Sequence, residues 1–138
     1  YRSGLEEAVS RDLEAQGIEP EYETIELRYE VPISIHRYTP DFLLPNGIVI
    51  ESKGRFTVED RKKHVYIKEQ LPDLDLRFVF SNPLTKINKK SKTTYAMWCE
   101  HNGFLYAKKL VPEVWILEPV NRRSLRLAEK CRKPQRKK

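Results

Sequence analysis

At 138 residues and 16.4 kDa, the chain suits one compact domain with a real core, with room for an attached arm or tail. Apolar residues make up 39% and charged residues 33%, and neither a run of membrane-spanning length nor a signal-peptide pattern is present, which argues against a membrane or secreted protein. The formal charge of +6 is unevenly spread: residues 1–30 hold nine acids and three bases, residues 31–120 ten and fourteen, and residues 121–138 one and nine. An acidic arm and a basic tail thus flank a mildly basic middle, which predicts a polyanionic partner, nucleic acid first. Cys99 and Cys131 lack C-x-x-C spacing, so a reduced, cytoplasmic protein is expected. Because Tyr1 is not a methionine, a short preceding segment is also expected.

In chain order, Ser3-Gly4-Leu5-Glu6 is a capping box that opens an amphipathic helix. Leu5, Ala8, Val9 and Leu13 form its apolar stripe and Gly17 marks its end. On local pattern, Glu6 is a cap first and a functional carboxylate second. Tyr22 to Val31 alternates, with Ile25, Leu27, Tyr29 and Val31 on one face and Thr24, Glu26, Arg28 and Glu30 on the other, which predicts a half-buried strand. Pro32 interrupts it, and residues 33–37 continue extended, as an edge or isolated crossing strand would. His36 reads as a surface or DNA-facing residue.

Tyr38 to Gly54 reads as two short apolar strands joined by Pro45-Asn46-Gly47. Glu51 and Lys53 are two apart and share a strand face, and a closed hairpin brings Asp41 toward Glu51. Thr57-Val58-Glu59-Asp60 caps a helix that runs to about Leu71, before Pro72. Arg61, Lys62, Lys63, His64 and Lys68 load it with basic residues. They form either a solvated face or a track for a phosphate backbone. Leu76 to Phe80 is a short strand with Leu76, Phe78 and Phe80 facing one way. The loop from Ser81 to Lys92 carries four lysines, Lys86, Lys89, Lys90 and Lys92, and the first three are candidate DNA contacts. A helix from Thr94 to Gly103 bears Tyr95 and Trp98, which at helical spacing read as core rather than a base-stacking platform. Phe104–Ala107 is a final strand and Val111–Trp115 a helical turn. From Asn121 a basic tail is expected, partly helical near Leu125–Ala128, with a disordered end. The expected division is one folded domain over 1–120 and a basic tail over 121–138. The fold expected is α/β (α+β), a mixed central sheet flanked by helices.

Asp41 and Glu51 supply two hard oxygen ligands and the Ser52 backbone carbonyl a third, which suits Mg²⁺ with its retained waters, and Mn²⁺ in its place. Without thiolates or paired histidines, zinc is not expected. Lys53 beside such a site can orient a water or stabilise charge on a scissile phosphate. The set therefore suits hydrolysis of a phosphodiester, with Glu6 as the best further carboxylate for a second metal. Alone, Glu-x-Lys is weak and ordinarily means an exposed strand pair. Pro40-Asp41, a nine-residue spacer and Glu51-x-Lys53 on an apolar hairpin are more specific.

That pattern resembles the signature of the restriction-endonuclease-like nuclease superfamily. More narrowly, Arg2-Ser3-Gly4-Leu5-Glu6, the run from Tyr38 to Gly47, Glu51-Ser52-Lys53-Gly54 and Asp60-Arg61-Lys62-Lys63-His64 resemble the bacteriophage endonuclease I family of Holliday-junction resolvases. The resemblance runs from Arg2 to about Trp115 and leaves the tail least matched. It implies a restriction-endonuclease-like fold and a metal-dependent nuclease acting on four-way and other branched DNA, in the host cytoplasm. It implies Glu6, Asp41, Glu51 and Lys53 as the catalytic set, with Asp41 bridging up to two metals. It also implies a domain-swapped homodimer, in which residues 1–31 cross to the partner through a bridging strand over 32–37. Two other readings stay open: a superfamily nuclease cutting linear duplex, and a non-catalytic protein that binds branch points through basic surfaces.

Overall fold

Residues 3–31 and 34–134 are described by the computed structural model. In chain order the elements are α1 (Gly4–Ala15), β1 (Glu21–Tyr22), β2 (Leu27–Val31), β3 (Ser34–Tyr38), β4 (Phe42–Leu43) and β5 (Ile48–Lys53). They continue with α2 (Val58–Gln70), β6 (Asp75–Phe80), α3 (Tyr95–Asn102), β7 (Tyr106–Lys108), α4 (Glu113–Ile116) and α5 (Arg122–Lys130). Five strands form a mixed sheet in the order β1-β4-β5-β6-β7. The β1–β4 and β4–β5 pairs are antiparallel, and the β5–β6 and β6–β7 pairs are parallel. The expected α/β class with a mixed central sheet holds. No helix among the described residues is long and apolar enough to cross a membrane.

Strand alternation divides the interior into two layers. Leu43, Val49, Phe78 and Phe80 face a core shared with Phe56, Ile67 of α2 and Tyr95 and Cys99 of α3. Phe42, Ile48, Ile50 and Val79 face the other, shared with Val9 and Leu13 of α1 and Trp115 of α4. The two-residue period thus buries both faces of β5 and β6, with a helical layer on each side. Tyr95 and Trp98 are core, as expected: Tyr95 accepts the Phe56 amide at 3.2 Å, and Trp98 packs edge-on to the Phe56 ring at 4.9 Å.

Caps begin the helices where the sequence places them. Ser3 Oγ accepts the Glu6 amide at 3.1 Å, and Thr57 and Asp60 form a complete capping box on α2. Val9 and Leu13 are fully buried and Leu5 half-buried, while Ala8 at the edge of the stripe is exposed.

Three expectations change. The strand over Tyr22–Val31 is broken, because Glu23 adopts a left-handed backbone (φ +50°) that ends β1 after two residues. Its alternation survives: Ile25, Leu27 and Tyr29 are buried, and Arg28 and Glu30 are exposed. Second, β3 folds back antiparallel on β2, with Ser34 opposite Val31, so within one chain 34–37 is a hairpin arm rather than a continuing crossing strand. Pro32 and Ile33, the rest of that bridging segment, lie outside the described residues.

Third, the segment after Asn121 is no appended tail. Ser124 and Ala128 of α5 are fully buried. The Ser124 hydroxyl donates to the Gly47 carbonyl at 2.6 Å and accepts the Asp75 amide at 2.9 Å, and the Asn121 amide donates to the Asn46 carbonyl at 2.8 Å. Two small residues four apart give α5 a face that seats directly on the β4–β5 turn and β6. The folded body therefore extends past the boundary expected at 120. Residues 135–138, the end expected to be disordered, and Arg2 lie outside the described residues.

Candidate active site

The β4–β5 hairpin does what its sequence demands. Phe42 sits opposite Ile50 and Leu43 opposite Val49, a register that sets Asp41 opposite Glu51. Asn46 fixes the turn: its Oδ1 accepts the Ile48 amide at 3.2 Å, and its Nδ2 donates to the Trp115 carbonyl at 2.9 Å. Gly47 has φ +91°, and a Cβ there would lie 2.7 Å from the Asn121 carbonyl oxygen, so both conformation and space require glycine.

Beyond the turn, Asp41 and Glu51 fasten each other. The Asp41 amide donates to Glu51 Oε1 at 3.2 Å, while Asp41 Oδ2 accepts the Ser52 amide at 2.9 Å and the Ser52 hydroxyl at 2.7 Å. A strand residue turns its N–H and C=O to the same edge, so the Ser52 carbonyl also faces Asp41. Lys53 faces the opposite edge, where its carbonyl accepts the Ser81 amide at 3.2 Å.

Glu51 is 5% exposed and accepts a 2.8 Å hydrogen bond from the Tyr38 hydroxyl. Burial, reinforced by the Asp41 charge, pushes its carboxyl up to about 7. Burial raises Asp41 as well; its bonds from Ser52 oppose this and the Glu6 charge adds to it. The Lys53 ammonium lies 3.2 Å from Asp60 Oδ1 and 3.5 Å from Glu51 Oε2. Burial acts to lower its affinity for the proton, but those two carboxylates outweigh it and the net shift is upward, so Lys53 is a fixed cation. Asp60 therefore serves twice, closing the α2 capping box with one oxygen and holding Lys53 with the other. Glu6, from α1, reaches the same cavity with its carboxylate accepting the Tyr22 hydroxyl. The helix cap and the functional carboxylate are thus compatible roles for one residue.

A cavity of about 400 Å³ gathers Glu6, Glu23, Asp41 and Glu51 with Lys53, Lys63, Arg37 and Lys133. Among the described residues its walls carry oxygen donors and no thiol or imidazole, and burial disfavours the anionic forms of Asp41 and Glu51, with the Glu6 charge adding to this at Asp41 and the Asp41 charge at Glu51. That donor set fits a hard, hydrated cation such as Mg²⁺. Among the described residues, no three His, Cys, Asp or Glu side chains converge enough to enclose an ion by themselves. An ion here would keep waters, as Mg²⁺ does. Asp41, Glu51, the Ser52 carbonyl and Glu6 are the groups that would hold it.

The other expected contacts divide. Lys63 lines the cavity with its ammonium 4.8 Å from the centre of the Tyr38 ring. Lys62 is exposed, and Arg61 donates to the Phe56 carbonyl at 2.6 Å from a half-buried position. Lys86, Lys89 and Lys90 are exposed on the loop after β6, outside the cavity. His64 is corrected: it is fully buried, with Nδ1 2.8 Å from the Asp60 carbonyl and Nε2 3.2 Å from the Tyr38 hydroxyl, and it offers DNA no surface. A carbonyl accepts only from N–H, so Nδ1 carries the proton, and burial pushes the imidazole down to about 3. His36 is exposed, stacked on Tyr29 at 5.4 Å.

Sequence reasoning missed Tyr38 and Tyr22, which hold Glu51 and Glu6, and also Glu23 and Lys133. Tyr38 stands three residues before Asp41, and its place at the end of an extended run was the available signal. The others depend on contacts distant in sequence.

The sequence profile of the family described as Phage endonuclease I matches residues 1–135. The chain belongs to the phage endonuclease I family. It is 54% identical over 119 residues to Endonuclease I of Escherichia phage T7, covering 86% of this chain and 80% of that protein. It is 53% identical over 119 residues to Endodeoxyribonuclease 1 of Enterobacteria phage T3, covering 86% and 78%. Family membership makes the chain a nuclease, and the match includes the α5 segment that local pattern had set apart.

Proposed function

We propose that the chain is a structure-selective, Mg²⁺-dependent endodeoxyribonuclease. It resolves four-way junctions and other branched DNA by paired nicks, in the host cytoplasm. The observation that carries this reading is the convergence of Glu6, Asp41, Glu51 and Lys53 on one cavity, in a chain of a nuclease family. Two relatives are named an endonuclease and an endodeoxyribonuclease.

Bound Mg²⁺, up to two ions that Asp41, Glu51, the Ser52 carbonyl and Glu6 would hold and with Mn²⁺ able to substitute, would polarise the scissile phosphate and lower the pKa of an attacking water. The protein's share is positional. Tyr38 and the Asp41 amide hold Glu51, Ser52 holds Asp41, and Tyr22 holds Glu6, so the carboxylates need little reorganisation on binding. Lys53, kept protonated between Glu51 and Asp60, stabilises negative charge developing on the phosphate. Arg61, Lys62 and Lys63, with Lys86, Lys89 and Lys90, supply sequence-independent phosphate contacts along the approach.

The working unit in this reading is a homodimer with exchanged arms. Within one chain, Glu6 and β1–β2 already rest on the body, and β2 pairs with β3 across positions 32–33. Repeating those contacts between two copies, with residues 3–31 of each resting on the body of the other, preserves them, which is the low-cost route to a swapped dimer. Two sites at fixed separation then suit paired nicks on opposing strands.

An immobile four-way junction and a matched linear duplex, each incubated with Mg²⁺, test the substrate. Symmetric nicks near the branch are expected. Equal cutting of linear duplex would mark a general duplex nuclease, and a mobility shift without products would mark an architectural protein; either result rejects the reading. Co-folding Glu6→Ala with Glu51→Ala chains tests the exchange. Shared sites give one intact and one doubly defective site per heterodimer, hence a single nick, whereas unshared sites give none.

A further inference from the structure

The cavity contains a cation that neither the acid–lysine motif nor the basic helix accounts for. Residues 131–133 run antiparallel to residues 24–26. The Glu26 amide donates to the Cys131 carbonyl at 2.9 Å, the Lys133 amide donates to the Thr24 carbonyl at 2.8 Å, and Ile25 and Arg132 form the bridge between them. Arg132 then reaches Glu129 at 2.8 Å on its own side and the Glu21 carboxylate at 3.1 Å on β1. Glu21 pairs with Leu43 of β4, and the Glu23 amide donates to the Asp41 carbonyl at 2.9 Å. The C-terminal segment is therefore clamped, through the N-terminal arm, to β4 and to Asp41 just before it. Successive side chains of an extended segment point opposite ways. Arg132 takes the outer side toward Glu21, and Lys133 takes the side that lines the catalytic cavity.

The cavity's lysines are differently committed. Lys53 is paired with Glu51 and Asp60, and Lys63 lies over the Tyr38 ring. Among the described residues, Lys133 makes no ion pair. It enters beside Thr24, on the arm side of the cavity near Glu23, whereas Lys53 enters from β5 and α2. A strand of DNA whose scissile phosphate met Lys53 would present a neighbouring phosphate to this second cation.

We propose that Lys133 is a substrate-binding residue of the catalytic cavity, holding a DNA phosphate next to the scissile one, and that the 131–133 clamp exists to deliver it. The proposal rests on the nuclease reading and extends it to a part of the chain outside the motif. In a dimer with exchanged arms, Lys133 and Asp41 come from one subunit and Glu6 and Glu23 from the other, so the clamp also fastens the incoming arm.

The test uses the full chain and its Lys133→Ala and Lys133→Arg variants. Binding to a four-way junction is measured in Ca²⁺ over a range of salt, and cleavage in Mg²⁺. Lys133→Ala is expected to weaken binding by about three- to tenfold at moderate salt and to flatten the plot of log affinity against log salt by about one phosphate's worth. It should raise KM more than it lowers kcat, and Lys133→Arg should restore both the affinity and the salt slope. Because the anchor is the backbone amide, melting temperature should not move. Parental affinity and salt slope in Lys133→Ala would overturn the proposal. So would a Lys133→Arg variant as weak as the alanine, or a fall in melting temperature that tracks the loss of binding. If the parental chain binds but does not cut, the nuclease reading fails by itself, and the salt slope still decides whether Lys133 meets a phosphate.

Discussion

The Asp41 amide donates to the Glu51 carboxylate, and the Asp41 carboxylate accepts from Ser52, the residue after Glu51. Each acid is thus positioned by the backbone of the strand that carries the other. These bonds hold the pair in place at the cost of keeping the ionisable Glu51 carboxyl almost wholly out of water. Several outcomes depend on that arrangement.

Glu51 binds its proton more tightly when folded, so its protonated form contributes stability that is complete below the unfolded value near 4.5 and lost as pH rises through about 7. At pH 8 without metal, the buried anion is a burden. Glu51→Gln keeps the shape and removes the charge, and it should stabilise the metal-free protein by about 1–3 kcal/mol at pH 8. Urea unfolding at pH 8 and pH 5 checks this: the gain should shrink at pH 5, and a variant less stable than the parent at both pH values would contradict it.

The same proton competes with a cation. Mg²⁺ should raise the melting temperature more at pH 8 than at pH 6, with apparent affinity falling by up to about tenfold per unit below pH 7. Titration calorimetry in buffers of different ionisation enthalpy should show about half a proton released per site near pH 7, rising toward one at pH 6. A pH-independent Mg²⁺ response would contradict the placement of Glu51 as a ligand.

His64 titrates with the opposite sign. Its folded value lies near 3, well below the unfolded 6.5, so between those values the unfolded chain binds the extra proton and stability falls as pH drops. One such group contributes a slope of up to about 1.4 kcal/mol per pH unit. His64→Gln should be less steeply destabilised than the parent between pH 6 and 4 in denaturant melts. Equal slopes would show that the imidazole is not buried neutral.

Gly47→Ala should be severely destabilising, by about 2 kcal/mol or more, because the new Cβ meets the Asn121 carbonyl in a conformation that L-residues resist. If α5 is as firmly seated as Ser124 and Ala128 imply, the variant should also lose hydrogen-exchange protection in residues 122–130. Parental stability in this variant would show that the turn and α5 are loosely docked.

How much was legible in sequence follows the separation between partners. Asp41, Glu51 and Lys53 could be placed because a short hairpin with a two-residue period determines who faces whom. Glu6 was visible as a cap, while its second role depends on Tyr22, sixteen positions away. His64 hid inside a basic run; yet Asp60, His64 and Ile67 lie four and three apart, a spacing that marks one helix face, here the one turned inward. The α5 segment looked like a tail because its contacts are made by a serine and an alanine, which carry no hydrophobic signal. Lys133 was beyond local reading altogether, since it comes to the site by pairing with residues more than a hundred positions away.

Whether the Asp41–Glu51–Lys53 cavity carries the chemistry is tested most directly by assaying Glu51→Ala and Lys53→Ala on an immobile four-way junction in Mg²⁺, with binding measured alongside. The account predicts that both variants bind the junction with near-parental affinity and cut it at least about a hundredfold more slowly, the scale expected when a transition-state-stabilising charge is lost. Cleavage at the parental rate by either variant would contradict it.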